Sequence, residues 1–519
     1  MPDGAEGGAV LSARAAVSPE VMRAGGPWER RPYLPWLVAL AGLSLLVNLL
    51  YGRYLFADSY YDLYAGRYIL AHGIPHRNVV TVVNHGAPWL DQQWLAHVIY
   101  YAAWAAGGYQ ALSVLSALLV TAGFVVLGLL MRSRGVPPTR MFLWSAAVII
   151  VYLGNIVIRA QSFAYPLFAL TLWLVVADSR ESRPRARTWL AVPVLVLWAN
   201  THGSVLVGAA MVALYALYRA AAALWRGRRR PARPGWTAAA GYLALGAAAA
   251  ASVACTPYGT GVIAYYRQVN SVTPALSRYV TEWQRPSPLY LVSMGFFALL
   301  VAVVSAVVVA WRRGTRPDPL LAVLAVALLA LALTAIRNQT WFGFAGSLLA
   351  ADTLARSSAA RPPALSRAFS RATAALLAAA ALAAVALIAA EPDARFQSLV
   401  PVRAIDAAAA LAASHPGARI LGDEWSSPPL LWLQPSMFGR VAYDARLEQY
   451  SVAQLGDYAT FLSARAPGWQ RLMRGYDIVV VSTREHGRLA TALTHVPGWH
   501  VAYDGHGGLV LERGAGLPG

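Results

Sequence analysis

LYGRYLFADSYYDLYAGRYILAHGIPHRNVVTVVNHGAPWLDQQWLAH, residues 50–97, decides how the chain is read. It opens as the end of an apolar run that begins at Tyr33, and within a few residues it turns polar, aromatic and acidic. So abrupt a change, after a run long enough to span hydrocarbon, marks a membrane exit. Asp58 and Asp62 follow the exit four residues apart, which puts both carboxylates on one face of a continuing helix. Tyr60, Tyr61, Tyr64 and Tyr68 surround them, and such amphipathic rings favour the boundary between lipid and water. Two readings fit: an interfacial anchor with solvated acids, or a functional segment on one side of a membrane.

Composition supports the membrane. Of 519 residues 58% are hydrophobic and 13% charged, against a charged share of about 25% in soluble domains. The formal charge of +19 sits in short clusters between apolar runs, where the positive-inside rule places it, so we read it as topology rather than nucleic-acid binding. All 43 basic residues are Arg. The single cysteine, Cys255, rules out an intramolecular disulfide and a Cys-based metal cluster. Residues 1–32 have no apolar segment and read as a disordered cytoplasmic tail rather than a cleaved leader.

Arg30 and Arg31 before the first run place the N-terminus in the cytoplasm and Asp58 outside. The short apolar stretch 92–106 is broken at Gly107 and Gly108; it re-enters or lies in the outer interface, because otherwise Arg132 and Arg134 would face outward. Spans are expected at 33–56, 109–131, 141–158, 161–178, 189–200, 203–225, 236–255, 289–311, 318–336, 340–355 and 372–390, eleven in all. Every strong arginine cluster then falls inside, including Arg180 to Arg187, Arg226 to Arg233 and Arg356 to Arg371. The last span delivers residues 391–519 to the outside. There, strand-like ARILG, RVAY, DIVVVS, WHVAY and GLVLE alternate with helix-like 402–413, 452–465 and 485–493, giving an α/β domain. The fold class is therefore mainly α: a polytopic helical membrane domain over 33–390 with a C-terminal extracytoplasmic α/β domain over 391–519. The chain carries neither a GxGxxG nor a P-loop pattern, so a nucleotide-driven reaction is not expected.

Polar residues unusual for their surroundings gather on the outer face. Asp91, Gln93 and Trp94 stand where the short helix begins; Arg159 and Gln161, then Asn200 and His202, occupy later turnarounds. Glu282 lies in the long external segment 256–288, and Arg337 in the next. The middles of the spans carry almost no ionisable residue, whereas an ion-coupled transporter places such groups near the bilayer midplane. Each residue has a plainer role open to it. His202 can cap a tight reversal, Arg159 and Arg337 can reach outer headgroups, and Glu282 can pair locally with Arg278 or Arg285. In the exported part, YDARLEQY sets out Asp444, Arg446, Glu448 and Tyr450, either as a self-satisfied salt-bridge cluster or as a cap that contacts substrate. The residues form no metal-ligand motif; a divalent cation is neither demanded nor excluded, and no cofactor is expected.

Taken in order, DSYYDLYAGRYILAHGIPHRN, HGAPWLDQQWLAH, IRAQSFAYPLF, WANTHGS, TPYG with TEWQRP, and YDARLEQY resemble the GT-C superfamily of polytopic membrane glycosyltransferases, nearest to an uncharacterised bacterial and archaeal branch. The resemblance covers everything but the N-terminal tail. It implies transfer of a hexosyl or pentosyl group from a polyprenyl-phosphate donor to an envelope glycan, lipid or protein at the outer face of the inner membrane. An acid in the first external loop is then the expected general base, a position held by Asp58, with Asp62 a second catalytic acid. Arg159 and Arg337 would meet the lipid phosphate. The sequence departs from better-known members in having Ser59, not a second acid, after Asp58, which leaves the division of roles between Asp58 and Asp62 open. The alternative is a non-catalytic transporter or flippase of a lipid-linked saccharide, which shares the groove and the arginines but needs no base.

Overall fold

The structure, a computed structural model, describes residues 33–177, 185–229, 235–357 and 366–514. The N-terminal tail and Arg180, Arg183, Arg230, Arg233 and Arg361 of the expected inner clusters lie outside these residues.

All eleven apolar runs are helical. α1 (Tyr33–Tyr51) leads through a short turn to α2 (Ala57–His72), and a loop to α3 (Trp94–Ser133). There follow α4 (Pro138–Tyr152), α5 (Ala164–Ala177), α6 (Ala191–Thr201), α7 (Val205–Arg229), α8 (Gly235–Ser252) and α9 (Val262–Tyr279). The helical part closes with α10 (Leu291–Arg312), α11 (Pro319–Ala332), α12 (Gln339–Ser357) and α13 (Arg367–Ala389). Six helical stretches among the described residues are long and apolar enough to cross a membrane on their own: α1, α3, Ala160–Ala177, Val205–Gly227, α10 and α13. The chain is a multi-pass membrane protein.

The other five runs are shorter or less apolar; one of them, α12, is buried from 339 to 353. A helix wrapped by other helices need not be hydrophobic enough for lipid, only small enough to pack. The sequence reading of 141–158 as one span also needs correction. The helix ends at Tyr152, and the chain opens through Leu153–Asn155 into the loop that carries Arg159. The break in α3 falls where expected: Gly107 and Gly108 leave helical geometry, Gly108 with φ +65°, a conformation that favours glycine.

The segment 57–72 is not an interfacial anchor. Tyr60, Tyr61 and Tyr64 are buried, and α2 packs on the first half of α3 so closely that a methyl group at Gly66 would come within 2.2 Å of the His97 carbonyl oxygen. Nor is the segment 256–288 merely a loop. Its helix α9 buries Val272 and Leu276 in a core shared with Tyr443, Tyr450 and Leu455.

The C-terminal part comprises α14 (Asp393–Phe396), α15 (Val402–Ser414), β1 (Ile420–Gly422), α16 (Ser427–Leu433), α17 (Val452–Ser463), β2 (Ile478–Ser482), α18 (Gly487–Leu493), β3 (Trp499–Gly505) and β4 (Gly508–Arg513). The sheet order is β1-β2-β4-β3, with β1 and β2 parallel and the other pairs antiparallel. RVAY, expected to be a strand, supplies single bridges instead: Val441 lies between Ile420 of β1 and Thr81 of the loop between α2 and α3. The Val82 N–H donates to the Val441 carbonyl at 2.8 Å, and Gly439 N–H to Val80 at 2.8 Å. The sheet is thus extended by the loop that follows α2. One continuous core runs from Leu49, Tyr60 and Tyr64 to Ile420, Val480 and Val510. This keeps the C-terminal part fixed over the helix ends rather than hanging from a tether.

Candidate active site

Asp58 stands in the first turn of α2, where the helix dipole favours an anion. The start of that helix is held by Ser59, whose hydroxyl accepts from the Phe56 N–H and donates to the Ile158 carbonyl at 2.6 Å. Ser59 is fully buried and joins α2 to the loop between α4 and α5. That bond brings Arg159 to Asp58.

From Asp58 a line of alternating charge crosses four loops. Arg159 Nη1 lies 3.5 Å from Asp58 and 2.5 Å from Glu282, and Arg337 Nη1 lies 3.4 Å from the other oxygen of Glu282. The Arg337 guanidinium stacks over Trp283 with 4.3 Å to the ring centroid. The Ile336 N–H donates to the Gln284 carbonyl at 2.9 Å, locking these two loops together. Dense protein surrounds Asp58, yet 44% of its side-chain surface is open. Burial raises its carboxyl above the usual value, while Arg159 pulls the other way. Burial also pushes the Glu282 carboxyl up, but Arg159 and Arg337 outweigh it and hold that group down at about 2. Glu282 is therefore a permanent anion between two cations, and Asp58 the carboxylate able to exchange a proton. Glu282 pairs with these two arginines rather than with Arg278 or Arg285.

His202 faces the same group of charges. Its Nδ1 accepts the Ser204 N–H at 3.1 Å, which leaves Nε2–H as a donor, and burial together with Arg337 and Arg159 keeps the ring neutral. It caps the reversal between α6 and α7 and also contributes to the electrostatics of the cluster.

Asp62 is sealed behind Asp58, 1% exposed. Its carboxylate meets His97 Nε2 at 3.2 Å, while His97 Nδ1 meets Asp91 at 2.9 Å. Burial raises the Asp62 carboxyl to about 6, His97 opposing. The geometry makes Asp62 and Asp91 the two ends of a buried acid–His–acid triplet. Tyr61 donates to Asp91 at 3.4 Å and the Asp91 N–H donates to Tyr258 at 3.0 Å, so the triplet fixes α2, α3 and the TPYG turn together. Trp94 Nε1–H donates to Asn200 at 2.8 Å, and the Asn200 amide donates to the Cys255 carbonyl at 2.9 Å. Gln161 is buried and donates to the Tyr165 hydroxyl at 3.2 Å; Gln93 is half-buried at the start of α3.

The C-terminal loop forms the salt bridge that one sequence reading expected, and turns it inward onto the helices. Arg446 and Asp444 form a wholly buried pair at 2.7 Å. Arg446 also donates to Asn78 at 2.9 Å and stacks over Trp89, and Tyr64 donates to Asp444 at 2.8 Å. These two residues clamp the loop to the helices. An Arg446→Ala variant is expected to lose about 3–5 kcal/mol of stability, because Asp444 is left buried and uncompensated. A lower melting temperature with unaltered substrate affinity in the surviving fraction is the result to look for. Glu448 is the residue of this loop that feels the Asp58 charge, and burial raises its carboxyl to about 7.

No family model matches the sequence, and no curated protein matches it. Solved structures do. The oligosaccharyltransferase of Archaeoglobus fulgidus in its apo form superposes with a TM-score of 0.50 at 13% identity, over 95% of this chain and 76% of its own. ArnT of Cupriavidus metallidurans gives 0.51 at 16% identity in the apo state and 0.50 at 15% bound to undecaprenyl phosphate, each over 93% of this chain and 98% of ArnT. The chain has the GT-C fold.

Within the GT-C fold, sequence reading brought Asp58, Arg159, Glu282, Arg337 and His202 to one face, and the structure places them in one cluster. It did not single out His97. The signal for His97 was there: apart from tyrosines, it is the sole titratable side chain of α3 before Arg132. Among the described residues, no group of three or more His, Cys, Asp or Glu is arranged to hold a metal ion.

Proposed function

We propose that the chain is a glycosyltransferase that moves a sugar from a polyprenyl-phosphate donor to a cell-envelope acceptor, with its site on the extracytoplasmic side of the membrane. The observation that carries this reading is the pairing of an accessible carboxylate, Asp58, with a guanidinium 3.5 Å away that continues into a second arginine through Glu282. Asp58 takes the proton of an acceptor hydroxyl as its oxygen attacks the anomeric carbon. The bond from that carbon to the phosphate oxygen breaks, and the polyprenyl phosphate leaves with the electron pair. Arg159 and Arg337 stabilise the charge that develops on it. Glu448, which titrates near neutrality, and the neutral His202 offer hydrogen bonds to the sugar hydroxyls or to the acceptor. Asp62, His97 and Asp91 act by fixing α2, and thus the aim of Asp58. The step is drawn with no cofactor, and residues 33–390 and 391–519 act as the membrane and extracytoplasmic domains. The GT-C fold, with the ArnT structure bound to undecaprenyl phosphate, supports the choice of donor class.

The test is transfer of radiolabelled sugar from a panel of polyprenyl-phosphate sugars to membrane extracts by the purified protein, with and without EDTA. No transfer from any donor would overturn the assignment, and loss of transfer with EDTA would add a divalent cation to the site. Orientation can be tested with the chain's own cysteine. Cys255 is exposed at the end of α8, beside the TPYG turn on the Asp58 side. A membrane-impermeant maleimide should label it in intact spheroplasts; labelling only after lysis would place the Asp58 cluster and the C-terminal part in the cytoplasm.

A further inference from the structure

A recess of about 340 Å³ opens at the end of the helical bundle opposite the Asp58 cluster. The helices that build it run between the two ends: α7 starts beside His202, and α12 starts beside Arg337. Its wall is formed by Tyr218, Arg219 and Arg226 of α7, Asp318 before α11, and Arg356 in the last turn of α12. Three guanidiniums therefore face the recess against one carboxylate.

That carboxylate is already engaged. Asp318 accepts from the Leu320 and Leu321 N–H groups at 3.1 and 3.3 Å as the cap of α11, and its second oxygen accepts from Arg134 at 2.9 Å. Arg356 is held by Asp352 at 2.9 Å and donates to the Arg316 carbonyl at 3.0 Å. Arg219 is 5% exposed and donates to the Tyr242 hydroxyl at 3.0 Å, a fixed guanidinium in the wall. Arg226 is exposed at the mouth, its Nε–H donating to the Ala222 carbonyl at 3.1 Å. The result is a preformed, cation-lined recess that takes no part in the proposed transfer.

Its depth identifies the ligand. Trp225, Trp236 and Trp311, at the same ends of α7, α8 and α10, expose 57%, 75% and 66% of their surfaces, and exposed tryptophans mark the headgroup level of a bilayer. Basic pockets between helices at that level suit anionic head groups, and arginines favour phosphate through paired N–H donors. The geometry points to a binding site for the phosphate of an anionic phospholipid head group from the leaflet at this end. Free phosphate has the same chemistry, but the level of the tryptophans favours the lipid.

The test uses the full-length protein purified in detergent, with native mass spectrometry to read retention of phosphatidylglycerol and phosphatidylcholine, and inorganic phosphate as competitor. Phosphatidylglycerol should be retained in preference to phosphatidylcholine and should resist millimolar phosphate. Arg226→Gln, an exposed change that folding tolerates, should weaken phosphatidylglycerol binding roughly 10-fold or more. Arg313→Gln, at the exposed end of α10 outside the recess, should leave it unaltered. Equal retention of both lipids, or an equal loss in the Arg313→Gln variant, would overturn the site. Displacement by micromolar phosphate would show that the recess serves the free anion and overturn the lipid as its source.

Discussion

Replacement of Asp58 by Asn is expected to reduce transfer roughly 100-fold to 10,000-fold while leaving binding of undecaprenyl phosphate nearly unchanged. The amide keeps the size of the side chain and most of its hydrogen bonding, including acceptance from Arg159, but it takes no proton. Single-turnover transfer and lipid binding, measured on the same purified variant, separate the two quantities. In a carrier that only moves the lipid, the change has no reason to spare binding and abolish turnover, so the split also decides between enzyme and flippase. A second signature lies in the pH profile. The base acts when ionised, so transfer by the parent protein falls as pH drops through the Asp58 value, which burial raises above that of a free carboxylate. The residual activity of Asp58→Asn should lack that limb. Near-normal turnover in Asp58→Asn would remove the base from this position.

The fold and the site differed in how far they could be read from sequence, and the reason is physical. Apolar runs bounded by arginines report on the solvent each segment meets, which is a local property; hence every run was found, along with the break at Gly107 and Gly108. Two of the misplaced ends, at 153–158 and 333–336, stand next to the cluster loops, where chain is drawn out of the helix to present Arg159 and Arg337. Which face of α2 is wet was not local. Four tyrosines after a membrane exit match an interfacial belt, and only the packing of Gly66 against His97 shows that three of them are core. The same contact gives the two acids different exposure: a spacing of four residues put Asp58 and Asp62 on one face, but α3 covers the second turn of α2 and leaves the first open. The C-terminal loop repeats the lesson. YDARLEQY offers four polar side chains, and its local sequence does not say that Arg446 turns inward onto Trp89 while Glu448 is the residue within reach of the Asp58 charge.

The two arginines and Glu282 give a test in which neighbouring substitutions have opposite signs. Glu282 bridges both guanidiniums, the position that a lipid phosphate would contest. Arg159→Gln should weaken undecaprenyl phosphate binding roughly 10-fold to 150-fold, since a charge-assisted hydrogen bond contributes about 1.5–3 kcal/mol. It should also cost turnover. Because Arg159, more than Arg337, lowers the Asp58 carboxyl, its loss lets that carboxyl rise further, and the acidic limb of the pH profile moves to higher pH. Glu282→Gln should act in reverse on binding: two buried cations lose their shared anion, the ligand-free state becomes less stable, and the phosphate binds more tightly. Its turnover then depends on product release, since a leaving phosphate held too well is slow to depart. A protein in which Arg159→Gln binds undecaprenyl phosphate as well as the parent would separate the arginine from the donor, and weaker binding in Glu282→Gln would make that carboxylate an organiser of the arginines rather than a stand-in for the ligand.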